Sequence, residues 1–334
     1  MALEKKWVTM GDVAREAGVG TITVSRVIRT PTKVSQTTRD KVQAAIAKLG
    51  YVPDETAGAL SSQRSRMVGA LVSTLEASIF ASTIEGLSTG LRAEGYQLLL
   101  GNTEYEPETE ASLAATMLGR RPDALVLTSD QHTEAARTLM NRAGVPVIEL
   151  WELPESPIHA AIGFSNAAAG EAITRHLVET GRKRIAFIGP DRANDRRGQL
   201  RQSGYLRAIA GQEPRVALMP ADLKGAGIGA AGLAQILERY PDTDAVVCVS
   251  DAIALGAYCE AMRRGLSVPR DLALTGFGDF DLASDAGLAL TTLRIDGHAI
   301  GAKAADLILS GTKAAPLPPT VIDMGFELIR RGTS

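Results

Sequence analysis

Cysteine is scarce here: Cys248 and Cys259 are the only two among 334 residues. Two thiols exclude a disulfide scaffold and a multi-cysteine zinc site, and their apolar sequence surroundings predict that both are buried. The histidines His132, His159, His176 and His298 lack metal-ligand spacing. No apolar run approaches the roughly 18 to 20 residues that a membrane span needs. The first eight residues carry Lys5 and Lys6 with no apolar stretch behind them, unlike a secretory leader. A cytoplasmic protein is expected, with no membrane association, no metal and no cofactor.

Net charge is also small, −2, but it is unevenly spread. Residues 1–66 hold 11 Lys and Arg against 6 Asp and Glu, a balance of +5, while the remainder holds 25 against 32, a balance of −7. A basic head joined to an acidic body suits an anionic polymer at the head and repels one from the body.

The head reads as three helices. Thr9-Met-Gly-Asp12 has the form of a capping box, and the helix it opens carries Val13, Ala14 and Ala17 before Gly18 turns the chain. A second helix is expected from Thr21 to about Ile28, with Val24, Val27 and Ile28 inward and Thr21, Ile22, Ser25 and Arg26 outward. Two short helices about a three-residue turn make a helix-turn-helix. A third opens at Ser35, repeats Val42, Ile46, Leu49 and stops at Gly50, with Pro53 beyond.

Val8-Thr-Met-Gly-Asp-Val-Ala-Arg-Glu-Ala-Gly18-Val and Thr23-Val-Ser-Arg26-Val resemble the lactose-repressor/galactose-repressor family of transcription regulators. The resemblance implies that the helix beginning at Thr21 enters the major groove of operator DNA, with Thr21 and Ile22 choosing among operators and Arg26 reading a base. Local chemistry agrees: a guanidinium binds guanine O6 and N7 bidentately, and Ile22 offers apolar contact, for instance to a thymine methyl. Thr9 belongs to the same DNA-facing set, and Thr23 and Ser25 suit phosphate oxygens. In the family, the stretch corresponding to 54–66 is a hinge that becomes helical on the operator, where the position of Leu60 wedges into the minor groove. Ala57 and Leu60 keep that pattern, whereas Asp54 and Glu55 depart from it and Gly58 lowers helix propensity by roughly 1 kcal/mol relative to alanine.

Beyond Met67, apolar strands alternate with helical stretches, at Val68–Val72, Tyr96–Leu100, Ala124–Leu127, Val145–Ile148, Ile185–Ile188, Ala245–Val249 and Leu272–Phe277. Such runs predict parallel sheets covered on both faces, and their number suits two doubly wound lobes. The expected fold is therefore α/β: an all-α helix-turn-helix head on a two-lobe parallel-sheet core. The family resemblance continues through Ser250-Asp-Ala-Ile-Ala-Leu-Gly-Ala257, Arg264-Gly-Leu-Ser-Val-Pro269 and Leu290-Thr-Thr-Leu293. It implies the architecture of periplasmic sugar-binding proteins, with three crossings between lobes and a ligand in the cleft. The expected divisions are 1–53 for the head, 54–66 for the hinge and 67–334 for the core. Within the core, one lobe takes 67–164 with 296–323 and the other 165–293 with 324–334.

Two enzyme-like motifs lack the context they need. Gly86-Leu-Ser-Thr-Gly90 matches a nucleophile elbow, yet Phe80 to Leu91 reads as helix rather than strand and turn. Gly227-Ile-Gly-Ala-Ala-Gly232 matches a dinucleotide fingerprint, but no tight strand-to-glycine turn precedes it, and a glycine-rich loop leading into a helix at Leu233 is expected instead.

Within the family the chain most resembles the gluconate-operon repressors, through Val24-Ser-Arg-Val-Ile-Arg-Thr-Pro-Thr-Lys-Val-Ser35, His132-Thr133, Val147-Ile-Glu-Leu150 and Gly163-Phe-Ser-Asn166. That resemblance implies a sugar-acid inducer. Arg197 and Arg201 lie four apart on an expected helix, so both face one way and either clamp a carboxylate or are solvated arginines of an Arg-rich loop. Arg201 matches the arginine by which relatives hold neutral sugars. His132 joins the candidate effector set through the subfamily likeness. Glu149 and Trp151 share one side of a strand, as cleft wall or as core. Phe80 and Phe164 match cleft positions in relatives but also suit packing. Ser250 and Asp251 follow a strand, where Asp251 also suits a helix cap. Gly278 stands where sugar-binding relatives have an acid, leaving Asp279 as its substitute.

The expected protein is thus a homodimeric, sequence-specific repressor of carbohydrate-utilisation genes, not an enzyme, released from a palindromic operator by a sugar acid such as gluconate. A dimer is favoured because no heptad tail follows Gly332. The competing readings are a neutral-sugar or corepressor ligand on the same fold, a regulator that binds a phosphocarrier partner, and a soluble sugar-binding protein.

Overall fold

A capping box, three short apolar stripes and two left-handed glycines define the first folding unit, which ends at Ser65; Arg66–Ser334 form the second. The computed structural model describes residues 7–53, 64–75, 78–220, 222–285, 288–311 and 320–334. The expected hinge contacts of Ala57 and Leu60 lie outside them.

In the head, helix α1 (Met10–Ala17) starts as expected, with the Asp12 amide donating to Thr9 Oγ1 at 3.3 Å and the Thr9 amide donating to Asp12 Oδ2 at 2.9 Å. Hydrogen bonds from Thr9, with Arg15 close by, hold the Asp12 carboxyl down at about 2. Gly18, at φ 66°, turns the chain into α2 (Thr21–Arg29), and α3 (Gln36–Leu49) follows from its Ser35 cap to the left-handed Gly50. Val13, Ala14, Val24, Val27, Val42 and Ala45 close a small core that Tyr51 covers. Lys48 of α3 pairs with Glu16 of α1 at 2.7 Å across the outside.

The body contains two parallel sheets. The first runs β11-β5-β4-β3-β1-β2, formed by Thr320–Asp323, Ala160–Gly163, Val147–Leu150, Ala124–Leu127, Met67–Val72 and Gln97–Asn102. The second runs β7-β6-β8-β9, formed by Arg215–Met219, Ile185–Pro190, Ala245–Cys248 and Ala273–Thr275. A short antiparallel pair, β10 (Thr292–Arg294) with β12 (Glu327–Ile329), lies where the chain passes between them. The chain leaves the first sheet after Gly163, returns before the helix Gly297–Gly311, and leaves again after Asp323. Its tail is stitched into the second lobe, Thr333 exchanging backbone and side-chain hydrogen bonds with Leu274.

Glycine explains both enzyme-like motifs, because it lets helices touch backbone to backbone. Gly86 of the helix Ala81–Ala93 faces the His298 carbonyl, while Gly301 of the helix Gly297–Gly311 faces the Thr83 carbonyl, and a Cβ at either would collide. The helices Ala226–Arg239 and Asp251–Arg263 cross the same way at Gly229 and Gly256. Gly227 to Gly232 is therefore helix from Ala226 onward, not the expected loop, since close packing of two helices outweighs poor glycine propensity. The expectation for the thiols also needs correction: Cys248 is buried in β8, but Cys259 is exposed on the outer face of its helix.

Candidate operator and effector sites

On the head, α2 presents what its period dictated. Thr21, Ile22 and Arg26 are exposed, Thr23 and Ser25 are half-buried, and Val24 and Val27 face the core. Ile22 is 69% exposed, an apolar side chain offered outward from a helix whose cap, Gly20, makes no side-chain hydrogen bond to the first amides. Those open amides carry the positive end of the helix dipole, which suits a phosphate. Thr9 is exposed but its hydroxyl is engaged with Asp12 at 2.7 Å.

In the body, the loops at the carboxyl ends of both sheets meet, the place where ligands bind in such folds. Asp195 caps the helix Arg196–Ala208 and so fixes its first turns, which carry both candidate arginines. Arg197 is buried; it donates to the Thr128 carbonyl and, at 3.0 Å, to Ser73 Oγ, both on the first lobe, and its guanidinium lies 5.0 Å from the centre of the Phe80 ring. Arg201 donates to Asn166 Oδ1 and lies 4.2 Å from the centre of the Phe277 ring. Burial lowers its pKa to about 10, with Asp195 pulling the other way, and its Nε is buried with no hydrogen-bond partner. Among the described residues neither arginine forms an ion pair.

The two arginines sit at the ends of a chain of rings. Phe80 stacks edge-on to Trp151 at 5.4 Å, Trp151 to Phe164 at 5.9 Å, and Phe164 approaches Phe277 at 6.0 Å and Phe326 at 6.3 Å. A positive φ of 75° turns Trp151 out of β4, and its indole donates to Thr83 Oγ1 at 3.1 Å. Two recesses open along the lobe seam. One, about 360 Å³ and open to solvent, lies between Ser73, Tyr105 and Asp130 on one side and Asn194, Asp195 and Arg197 on the other. The second, about 1280 Å³ and wider, lies between Ile79, Ser82 and Trp151 and the turn Gly278–Asp281.

The structure thus brings Phe80, Trp151, Phe164, Arg197 and Arg201 together, and engages the other candidates elsewhere. His132 is wedged between two carboxylates, Nδ1 at 2.5 Å from Glu110 and Nε2 at 3.2 Å from Glu149, with all three side chains almost fully buried. Burial alone would depress its pKa; the hydrogen bonds and charges of Glu110 and Glu149 outweigh it and lift the imidazole to about 9. The other oxygen of Glu149 accepts the Ile158 amide at 2.6 Å, so His132 and Glu149 support a loop rather than offer themselves to a ligand. Ser250 caps its helix, and Asp251, its pKa raised by burial, accepts from Thr292 Oγ1 at 2.6 Å and the Phe280 amide at 2.9 Å. Asp279 pairs with Arg331 at 2.6 Å and Arg294 at 2.8 Å. Burial opposes its ionisation, but the two guanidinia prevail and hold it below the usual range.

Both halves of this arrangement match family models. Residues 9–54 match the bacterial regulatory proteins of the lacI family, and residues 65–316 match the periplasmic binding proteins and sugar binding domain of the LacI family. The chain belongs to the LacI family. It is 35% identical over 326 residues to the transcriptional regulator GntR of Pseudomonas aeruginosa, covering 97% of this chain and 94% of that protein. It is 32% identical over 333 residues to GntR of Escherichia coli K12, covering 99% and 100%. Among solved structures, a LacI-family transcriptional regulator from Silicibacter pomeroyi superimposes with a TM-score of 0.89 at 30% identity, covering 98% and 99% of the two chains. The lac repressor dimer bound to operator and an anti-inducer gives 0.80 at 25% identity, covering 98% and 99%. As a LacI-family transcriptional repressor, the protein binds operator DNA and a small-molecule effector and acts as a dimer. Among the described residues no helix is long and apolar enough to cross a membrane.

Three residues at this LacI-family cleft were not singled out as site residues from the sequence. Ser73 and Thr128, which receive Arg197, are small polar residues in loops without a pattern to mark them, and Asn166, which receives Arg201, stood in the sequence only as the end of the Gly163-Phe-Ser-Asn166 stretch. Glu110 did leave a signal: with Ala114 and Met117 it occupies i, i+4 and i+7, a carboxylate on the buried stripe of its helix.

Proposed function

We propose that the effector is a sugar acid such as gluconate and that it releases the repressor from its operator. The observation that carries this is the pair of guanidinia on one helix face, Arg197 buried and Arg201 half-buried, with no carboxylate partner among the described residues and with one buried donor, Arg201 Nε, unsatisfied. Cations drawn out of water call for an anion, and a carboxylate matches the guanidinium fork. Phe80, Trp151 and Phe164 would wall the carbon chain. The likeness to gluconate-operon repressors supports the same ligand class. In this reading 67–164 with 296–323 and 165–293 with 324–334 act as the two lobes, and the ligand acts through its differential affinity for their two arrangements. On DNA, Thr21, Ile22 and Arg26 face base edges, Thr9, Thr23 and Ser25 face phosphates, and Ala57 and Leu60 belong to the hinge.

Calorimetric titration of the full-length dimer with gluconate, sorbitol and glucose tests the ligand class. Gluconate is expected to bind, its uncharged counterparts to bind at least tenfold more weakly, and R197Q/R201Q to lose the preference while still binding DNA. Equal affinity for gluconate and sorbitol would remove the carboxylate from the account.

A further inference from the structure

Beside the proposed effector arginines runs a polar segment, Asp191-Arg-Ala-Asn-Asp-Arg-Arg197, which follows β6 and leads into the helix Arg196–Ala208. Four of its side chains reach the opposite lobe. Arg192 lies over the Tyr105 ring, 5.3 Å from its centre. Asn194 Nδ2 is 3.5 Å from Glu106 Oε2. Arg196 Nε forms an ion pair with Asp130 Oδ2 at 2.9 Å, and Arg197 reaches Thr128 and Ser73. The facing surface is acidic, with Glu106, Glu110 and Asp130 lining the recess between them.

We propose that this segment is an electrostatic clasp, with Arg196–Asp130 as its principal bond, which holds the lobes together before any effector arrives and so sets how strongly the effector is bound. With the lobes together, the carboxylate of Asp130 is only 7% exposed while its partner is 46% exposed. Parting the lobes would break this pair and the Arg197 contacts to Thr128 and Ser73 together, which favours the clasped form.

The clasp also has a rigid anchor. Its first-lobe end is the stretch Thr128 to Thr133, in which Thr128 and Asp130 hold the two arginines and His132 is fixed between Glu110 and Glu149. Thr133 then caps the helix Glu134–Arg142. His132 is thus a positioning residue: it sets where Asp130 stands without touching the cleft. On the second lobe, Asp195 does the same for Arg196 by capping its helix. A ligand that binds the closed arrangement gains from a clasp already made, since less ordering is left to do on binding. This consequence rests on the reading that the effector lies in the cleft; the clasp itself does not.

The test has a ligand-free arm and a gluconate arm. Hydrogen–deuterium exchange of the full-length dimer without effector follows the segments 128–133 and 191–198 in wild type, D130R, R196D and the charge swap D130R/R196D. Each single variant is expected to exchange faster by at least fivefold in both segments, and the swap to regain most of the protection. Singles that exchange like wild type would overturn the clasp, and so would a swap that remains as labile as the singles, because lability would then come from local damage rather than a lost pair. In the second arm, gluconate affinity is expected to fall three- to tenfold in each single and to recover in the swap. If wild type binds no gluconate, the ligand proposal fails while the exchange arm still decides the clasp.

Discussion

His132 makes the body's stability depend on pH in a direction that its environment dictates. The imidazole rises from 6.5 to about 9 because Glu110 and Glu149 hold its proton, so the folded protein binds that proton more tightly than the unfolded chain. The stabilisation is complete below pH 6.5 and is lost as pH climbs through 9. A rise of that size corresponds to roughly 3 kcal/mol. The control is E110Q/H132N/E149Q, which keeps polar groups of similar shape and removes all three titrations. Urea unfolding followed by tryptophan fluorescence, at fixed protomer concentration because a dimer's stability depends on it, should show the wild-type advantage over this control shrinking by up to roughly 3 kcal/mol between pH 6.5 and 9.5. An advantage that stays constant over this interval would refute the reasoning, since the proton would then not be shared between His132 and its carboxylates.

Other consequences are more local. G301A places a Cβ against the Thr83 carbonyl where two helices touch, and should lower stability by about 1–3 kcal/mol, read as a drop in thermal midpoint; an unchanged midpoint would mean that the helices part easily. R26A should weaken operator binding by about 1–3 kcal/mol while leaving a scrambled duplex nearly unaffected. Equal losses on both duplexes would make Arg26 a phosphate contact. T9A removes the capping box of α1 and should cost the head about 1 kcal/mol, measured as a loss of helix content on heating.

The head was legible almost to the residue, because capping boxes, left-handed glycines and helical periodicity are local and leave their mark in consecutive letters. The strands that begin at Met67, Ala124, Ile185 and Ala245 were equally legible as continuous apolar runs. Ala160–Gly163 and Arg215–Met219 were missed, the first being short and rich in alanine, the second beginning with a charged arginine whose guanidinium lies over the Tyr240 ring. In the cleft, the i, i+4 spacing of Arg197 and Arg201 carried their shared direction, but nothing in the sequence could pair Arg197 with Thr128, 69 positions away. His132 and Glu149 were recognised as notable residues, and only the fold supplied Glu110 and with it their structural role.

One titration tests release by a sugar acid most directly. A labelled duplex carrying the protein's own operator region, followed by fluorescence anisotropy at two salt concentrations with and without gluconate, reports DNA binding and its release together. Binding is expected to be tight, to weaken with salt as phosphate counterions are released, and to weaken further when gluconate is added but not when sorbitol is. Binding that gluconate leaves unchanged or strengthens would contradict the inducer assignment.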